Sequence, residues 1–250
     1  MHHSGEDGRG YFKTEIMKVL IIGTGLMGCS FGLTLQLNGH EVAGFDKELK
    51  NSGKAKERKL ISHAFSALDE GLAWAEGIIL TIPVTAIKYL LREILEKIRP
   101  TQFVIDFGST KVGICETVAN HPKRDRFIAA HPIAGTEYSG PESAFESLYK
   151  GKTKIVCEDH LSHPDVLAVF ESWCAYSEMT LVQLSPESHD RHLAYISHLS
   201  HVIAYSLSNA VLEKERDGQL ILELAGSGFA STVRLAKSSP EMWAPIFMEN

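Results

Sequence analysis

The sequence predicts an α/β fold: an N-terminal Rossmann-type, doubly wound, mostly parallel sheet followed by an all-helical C-terminal domain. Three observations carry this. Short apolar runs alternate with helix-patterned segments from Met17 to Leu184, the rhythm of parallel strands joined by crossover helices. A glycine turn, Gly23 to Gly28, directly follows the first run. Beyond Ser185-Pro186 no helix-breaking residue appears until Gly218.

Val19 to Ile22 is a continuous apolar run, as in a strand buried on both faces. A helix is expected from about Leu26 to Asn38, closed by Asn38-Gly39, and a second strand from Glu41 to Phe45, ending at Asp46. Ile78 to Ile82, Phe103 to Asp106 and Phe127 to Ala130 read as further buried strands, with helices at about Ala86 to Ile98 and Gly113 to Asn120. Lys154 to Cys157 and Thr180 to Leu184 are expected as edge strands around a helix from about Asp165 to Tyr176. Pro186 suits the first turn of a long helix. Leu193, Ile196, Ile203 and Leu207 share one face of it and are expected in the core. Shorter helices follow at about Gln219 to Leu224, Thr232 to Ser238 and Met242 to Met248. The expected division is an extension over 1–16 (a tag or disordered segment), a dinucleotide-binding domain over 17–184 and a helical substrate and dimerisation domain over 185–250.

Composition narrows the function. Twenty-five basic against 31 acidic side chains, with no Lys/Arg block, argues against nucleic acid as a partner. No apolar run approaches the roughly 18 residues of a membrane span, and residues 1–15 lack the apolar centre of a secretory signal. Cys29, Cys115, Cys157 and Cys174 are scattered, which suits a reducing, cytoplasmic setting.

Gly23-Thr-Gly25-Leu26-Met27-Gly28 has the glycine spacing of a dinucleotide site in the required strand–turn–helix context. The first glycine makes the turn, the second admits the pyrophosphate and the third lets helix pack on strand. Phosphates then meet the free N–H groups of the helix start. Asp46 closes the second strand, about 20 residues on, where an acid binds the ribose hydroxyls. Its charge would repel a 2′-phosphate, so NAD is expected over NADP, with Lys47 beside it keeping NADP open. Thr81 and Pro83, where the strand Ile78 to Ile82 ends, complete the expected cofactor-facing set.

Three segments supply candidates for chemistry. The strand Phe127 to Ala130 runs into His131-Pro132 and a loop with Gly135 and Glu137, and ligands in open α/β sheets sit beyond the carboxyl ends of strands. Asp106-Phe-Gly-Ser109-Thr-Lys111 ends another strand. On the long helix Asp190, Ala194, Ser197 and His201 fall within about 40° of one stripe. Arg234 offers a bidentate contact to a carboxylate, or is simply a solvated helical residue. His189, His192, His198 and His201 lack the i, i+4 spacing around a glutamate of zinc proteases, so no metal is expected. His192 is the first of them to assign to the surface.

These segments, Asp106-x-Gly-Ser109-x-Lys111, His131-Pro-Ile-Ala-Gly-Thr-Glu137, His189-Asp190 with Ile196-Ser-His-Leu-Ser-His201, and Gly228-Phe…Arg234, occur in one order together with Gly23 to Gly28. The chain resembles the prephenate/arogenate dehydrogenase family of tyrosine biosynthesis over nearly all of residues 17–250. The resemblance implies NAD-dependent oxidative decarboxylation of prephenate to 4-hydroxyphenylpyruvate. His131 would accept the ring-hydroxyl proton, and Ser109 would orient His131 and the hydroxyl. Arg234 would hold the ring carboxylate, and His201 with Ser197 the pyruvyl side chain. Glu137 and Gly135 would line the pocket mouth. Trp243 resembles a residue that reaches into the partner's site in a homodimer. Relatives usually continue past the point where this chain stops, so that dimer contact is left open, and no appended chorismate mutase or separate tyrosine-sensing domain is expected. Arogenate stays open as substrate; prephenate is favoured because His201 suits a pyruvyl carboxylate or keto oxygen. Two rivals remain: a related dehydrogenase with a catalytic lysine on the long helix, whose first lysine here is the distant Lys214, and a non-catalytic dinucleotide-binding regulator.

Overall fold

The computed structural model describes residues 15–216 and 221–250. Its elements run β1 (Lys18–Ile22), α1 (Leu26–Leu37), β2 (Glu41–Phe45), α2 (Leu49–Glu57), β3 (His63–Ala64), α3 (Leu68–Trp74), β4 (Gly77–Leu80), α4 (Val84–Lys97), β5 (Phe103–Asp106), α5 (Val112–Val118), β6 (Phe127–Pro132), β7 (Thr153–Cys157), α6 (Pro164–Ala175) and β8 (Thr180–Leu184). The strands form one sheet in the order β3-β2-β1-β4-β5-β6-β7-β8. Pairing is parallel from β3 through β6; β7 runs antiparallel to β6, and β8 parallel to β7. Strand order reverses between β1 and β4, so the crevice for a ligand opens beyond the carboxyl ends of those two strands.

Burial explains why these runs are strands. Val19 to Ile22, Ile78 to Leu80 and Val104 to Ile105 are at most 1% exposed. Side chains alternate between faces along each strand, and the two faces feed separate cores. Val19, Ile21, Ile79, Ile105 and Ile128 join Phe31, Tyr149 and Trp173 on one side. Leu20, Ile22, Ile78, Val104 and Ala129 join Ile87, Leu91 and Ile94 of α4 on the other. The sequence reading placed both late strands at the edge, but β7 lies between β6 and β8, and only β8 and β3 are edges. The cause is visible in β7 itself, where Ile155, Val156 and Cys157 are all buried.

The helical part comprises α7 (Pro186–Leu193), a π-helical turn over Ala194–His198, α8 (Leu199–Arg216), α9 (Ser227–Val233) and α10 (Pro240–Glu249). Ser185 caps α7, its hydroxyl accepting from the Ser188 amide at 3.2 Å. Two expectations for this region need correction. The long helix is not regular, because the π turn offsets α8 from α7. Of its supposed core face, Leu193 is buried, but Ile196 is 73% and Ile203 53% exposed, and Leu207 is half-buried. Among the described residues of α8, Ala204 alone is buried. The expected extension over 1–16 lies mostly outside the described residues, as does the start of the helix expected at Gln219. Its remainder is a short 3-10 turn, Leu222–Leu224.

Candidate active site

The glycine turn is built for close packing on one side and open space on the other. Gly23 has φ +98°, a left-handed conformation that favours glycine, and a Cβ there would lie 2.6 Å from the Thr81 carbonyl oxygen. A Cβ on Gly28 would run into the Gly23 carbonyl and the Thr81 hydroxyl, whereas one on Gly25 would meet nothing within 4 Å. Thr81 ties the turn to β4, its hydroxyl donating to the Gly23 carbonyl at 2.6 Å. Leu26 is buried, and the Met27 carbonyl accepts from the Tyr149 hydroxyl at 2.8 Å. Gly25 is the N-cap of α1, and no side chain caps that end. Its amides are left for an anion.

Asp46 is held rather than free. Its Oδ2 accepts from the Thr24 amide at 2.9 Å and the Thr24 hydroxyl at 3.2 Å, and its Oδ1 from the Glu48 amide at 2.9 Å. This places a carboxylate beside the glycine turn, where the ribose hydroxyls of a dinucleotide would lie. Pro83 is the exposed N-cap of α4 at the end of β4. These residues fit a dinucleotide.

His131 stands at the carboxyl end of β6, on the same side of the sheet as the glycine turn. Its Nδ1 lies 2.8 Å from Nε2 of His189 on α7. His189 is fully buried, and its Nδ1 lies 2.7 Å from Asp190 Oδ1. Burial pushes His131 well below the usual imidazole range, and His189, Lys111 and His198 push in the same direction. The ring is therefore neutral at pH 7. Ser109 lies half-buried on the loop after β5, and the side chain in hydrogen-bond contact with the His131 ring is His189.

Asp190 also departs from expectation. Instead of sharing a cleft-facing stripe with Ser197 and His201, its carboxylate accepts from the Lys111 amide at 2.7 Å and the Val112 amide at 3.0 Å. It thereby caps α5 from a helix nearly 80 residues away. Lys111 is fully buried, its ammonium paired with Asp106 and 2.7 Å from the Ala130 carbonyl. That ion pair joins the ends of β5 and β6 directly behind His131.

The remaining candidates gather around His201. Its Nδ1 donates to the Ser197 carbonyl at 3.0 Å, and Trp243 of α10 stacks on the ring at 3.5 Å and 23°. Burial and the Arg234 charge lower its pKa, against the upward pull of the Ser197 contact. Trp243 here meets a histidine of its own chain. Arg234, half exposed, pairs with Glu137 at 3.2 Å, and Gly135 opens the intervening loop at φ +135°. Among the described residues no group of three or more metal-ligating side chains is placed to hold a metal ion. No described helix is long and apolar enough to cross a membrane.

Residues 31–177 match the family model for the nucleotide-binding domain of prephenate dehydrogenase, and residues 185–250 that for its dimerization domain. The chain belongs to the prephenate dehydrogenase family. The first match begins after the glycine turn, so the assignment of that turn rests on its own geometry. Within the family the chain is 27% identical to cyclohexadienyl dehydrogenase of Zymomonas mobilis over 240 residues, covering 95% of this chain and 82% of that protein. It is 28% identical to prephenate dehydrogenase of Bacillus subtilis, covering 93% of this chain but only 64% of the relative. The prephenate dehydrogenase of A. aeolicus, solved in complex with hydroxyphenyl propionate and NAD+, is similar with a TM-score of 0.83 at 29% identity, over 94% of this chain and 83% of that one. Synechocystis arogenate dehydrogenase gives 0.73 at 30% identity, over 93% and 84%.

Proposed function

We propose that this chain uses NAD to oxidise and decarboxylate prephenate, giving 4-hydroxyphenylpyruvate for tyrosine synthesis. The observation that carries the reading is His131, a neutral imidazole at the carboxyl end of β6, on the side of the sheet where the glycine turn offers room for a dinucleotide. Asp46 favours NAD over NADP by its charge, and the NAD+ complex of the A. aeolicus relative supports the same choice. Buried, unpaired Cys29, Cys115, Cys157 and Cys174 suit a reducing cytoplasm.

When bound, the nicotinamide supplies an acceptor for hydride. The substrate loses that hydride from the ring carbon bearing the hydroxyl, while the O–H proton passes to His131 Nε2 and a C=O bond forms. The bond from the ring to its carboxylate then breaks and CO₂ leaves. The electron pair makes the ring aromatic and its oxygen a phenolate. His131 returns the proton to that oxygen, acting first as base and then as acid. Ser109 would bond the hydroxyl. Arg234 takes the ring carboxylate in exchange for Glu137, which with Gly135 lines the mouth of the pocket. His201, Ser197 and Trp243 form the end for the pyruvyl side chain.

One observation favours arogenate as a second reading. A carbonyl only accepts, so His201 Nδ1 carries its proton, and the neutral ring presents Nε2 as an acceptor. That suits an ammonium group. Prephenate needs His201 in its charged form, which burial and the Arg234 charge disfavour and the Ser197 contact favours. The test is NADH or NADPH formation by the purified chain with prephenate or arogenate, each with NAD+ and NADP+. Turnover of prephenate with NAD+ is expected. Turnover of arogenate alone would replace the substrate, and no turnover with either would overturn the reading.

A further inference from the structure

The proposed chemistry needs one nitrogen of His131 and says nothing of the other. That nitrogen faces a buried chain of groups whose proton positions can be worked out from the far end. Asp190 accepts two backbone amides, from Lys111 and Val112, besides its contact with His189. Burial pushes its carboxyl up, but these hydrogen bonds outweigh burial and hold it below the usual carboxylate range. An ionised carboxylate only accepts, so His189 Nδ1 carries a proton and donates it. Burial, opposed by Asp190, keeps His189 below the usual imidazole range, so the ring is neutral and its Nε2 is a bare lone pair. A lone pair 2.8 Å from His131 Nδ1 must be met by a proton on that nitrogen. A neutral imidazole carries one N–H, so His131 Nε2 is unprotonated.

We propose that His189 and Asp190 are positioning residues that lock His131 in its Nδ1–H tautomer, leaving Nε2 as the proton acceptor, and that Asp190 supplies the counter-charge when His131 becomes imidazolium. The charged groups facing His131 agree. Lys111 on the α5 side is already neutralised by Asp106, and His198 on the π turn is held neutral by burial, with a pKa of about 4. Among the described residues, Asp190 on α7 is thus the nearby anion with no ammonium or guanidinium partner of its own. The kinetic consequence rests on the dehydrogenase reading above; the tautomer does not.

Histidine ¹⁵N NMR of the labelled full chain near neutral pH reads the tautomer without substrate. His131 should show a protonated Nδ1 and a bare Nε2, and a protonated Nε2 would overturn the proposal. Two variants test the consequence. His189→Gln keeps an acceptor opposite His131 Nδ1, whereas His189→Leu removes it. At unchanged KM, His189→Leu should lower kcat by about 10²- to 10⁴-fold, the range for general-base help that is lost or left in the wrong tautomer, and His189→Gln should recover most of that loss. A folded His189→Leu with unchanged kcat, or a His189→Gln as slow as it, would overturn the positioning role. Should the wild-type chain turn over neither prephenate nor arogenate, the functional reading fails while the NMR result still decides the tautomer.

Discussion

At the scale of single residues, the site is a set of charges held in wait. Arg234 and Glu137 are 97 positions apart and meet at 3.2 Å on a half-exposed surface, where an ion pair contributes little to stability. On the proposed reading its worth would lie in exchange, Arg234 leaving Glu137 for a substrate carboxylate at small cost. Arg234→Ala is expected to raise KM for prephenate about 10- to 100-fold, the range for a lost charge-assisted contact, with a smaller change in kcat; initial-rate kinetics would refute this with a KM within twofold of wild type. Glu137 and Arg234 were legible as candidates because each stands in a distinctive motif. The His131–His189 contact was not, since the two residues belong to different motifs and no periodicity relates a strand end to a helix 58 positions on. Lys111 stands in the sequence only as the last residue of the Asp106-x-Gly-Ser109-x-Lys111 motif, and the fold alone reveals Asp106 and the Ala130 carbonyl closing around it.

At the scale of elements, the strands were read most securely, because a run such as Val19 to Ile22 is apolar on both faces and bounded by glycine. The helices α2 and α3 were not anticipated. Leu49–Glu57 is rich in lysine and buries only Ser52 and Ala55, so it offers no apolar stripe to recognise. α8 shows the opposite problem. Its apolar pattern is plain in the sequence, yet Leu199, Val202, Ile203 and Leu212 are 40% or more exposed, together with Tyr195 and Ile196 on the π turn. Beside them an apolar groove of about 520 Å³ opens between α8 and α10, lined by Tyr205, Leu212, Val233 and Phe247. Exposed apolar surface of this extent marks an interface, and the matching domain is named for dimerization. The chain is therefore expected to sediment as a homodimer, with Ile203→Glu shifting it toward monomer; a wild-type monomer at micromolar concentration would contradict this.

At the scale of the whole molecule, buried neutral histidines link stability to pH. Burial lowers His40, His131, His189, His198 and His201 below the usual imidazole range. As pH falls below about 6.5 the unfolded chain takes up protons that the folded chain refuses, so each such histidine removes up to about 1.4 kcal/mol of stability per pH unit. For His198 that window runs down to about 4. Asp106, which burial pushes up, acts in the opposite sense, one group against several. The midpoint of thermal unfolding is thus expected to be lower at pH 5 than at pH 7, and an equal or higher midpoint at pH 5 would show that these rings are not held neutral. The same neutrality makes His131 a base, and a single-turnover measurement of NADH formation by wild type and His131→Asn, both saturated with NAD+ and prephenate, tests that role most directly. A fall of roughly 10²- to 10⁴-fold in the chemical step is expected if His131 takes the hydroxyl proton; an unchanged rate would place the base elsewhere.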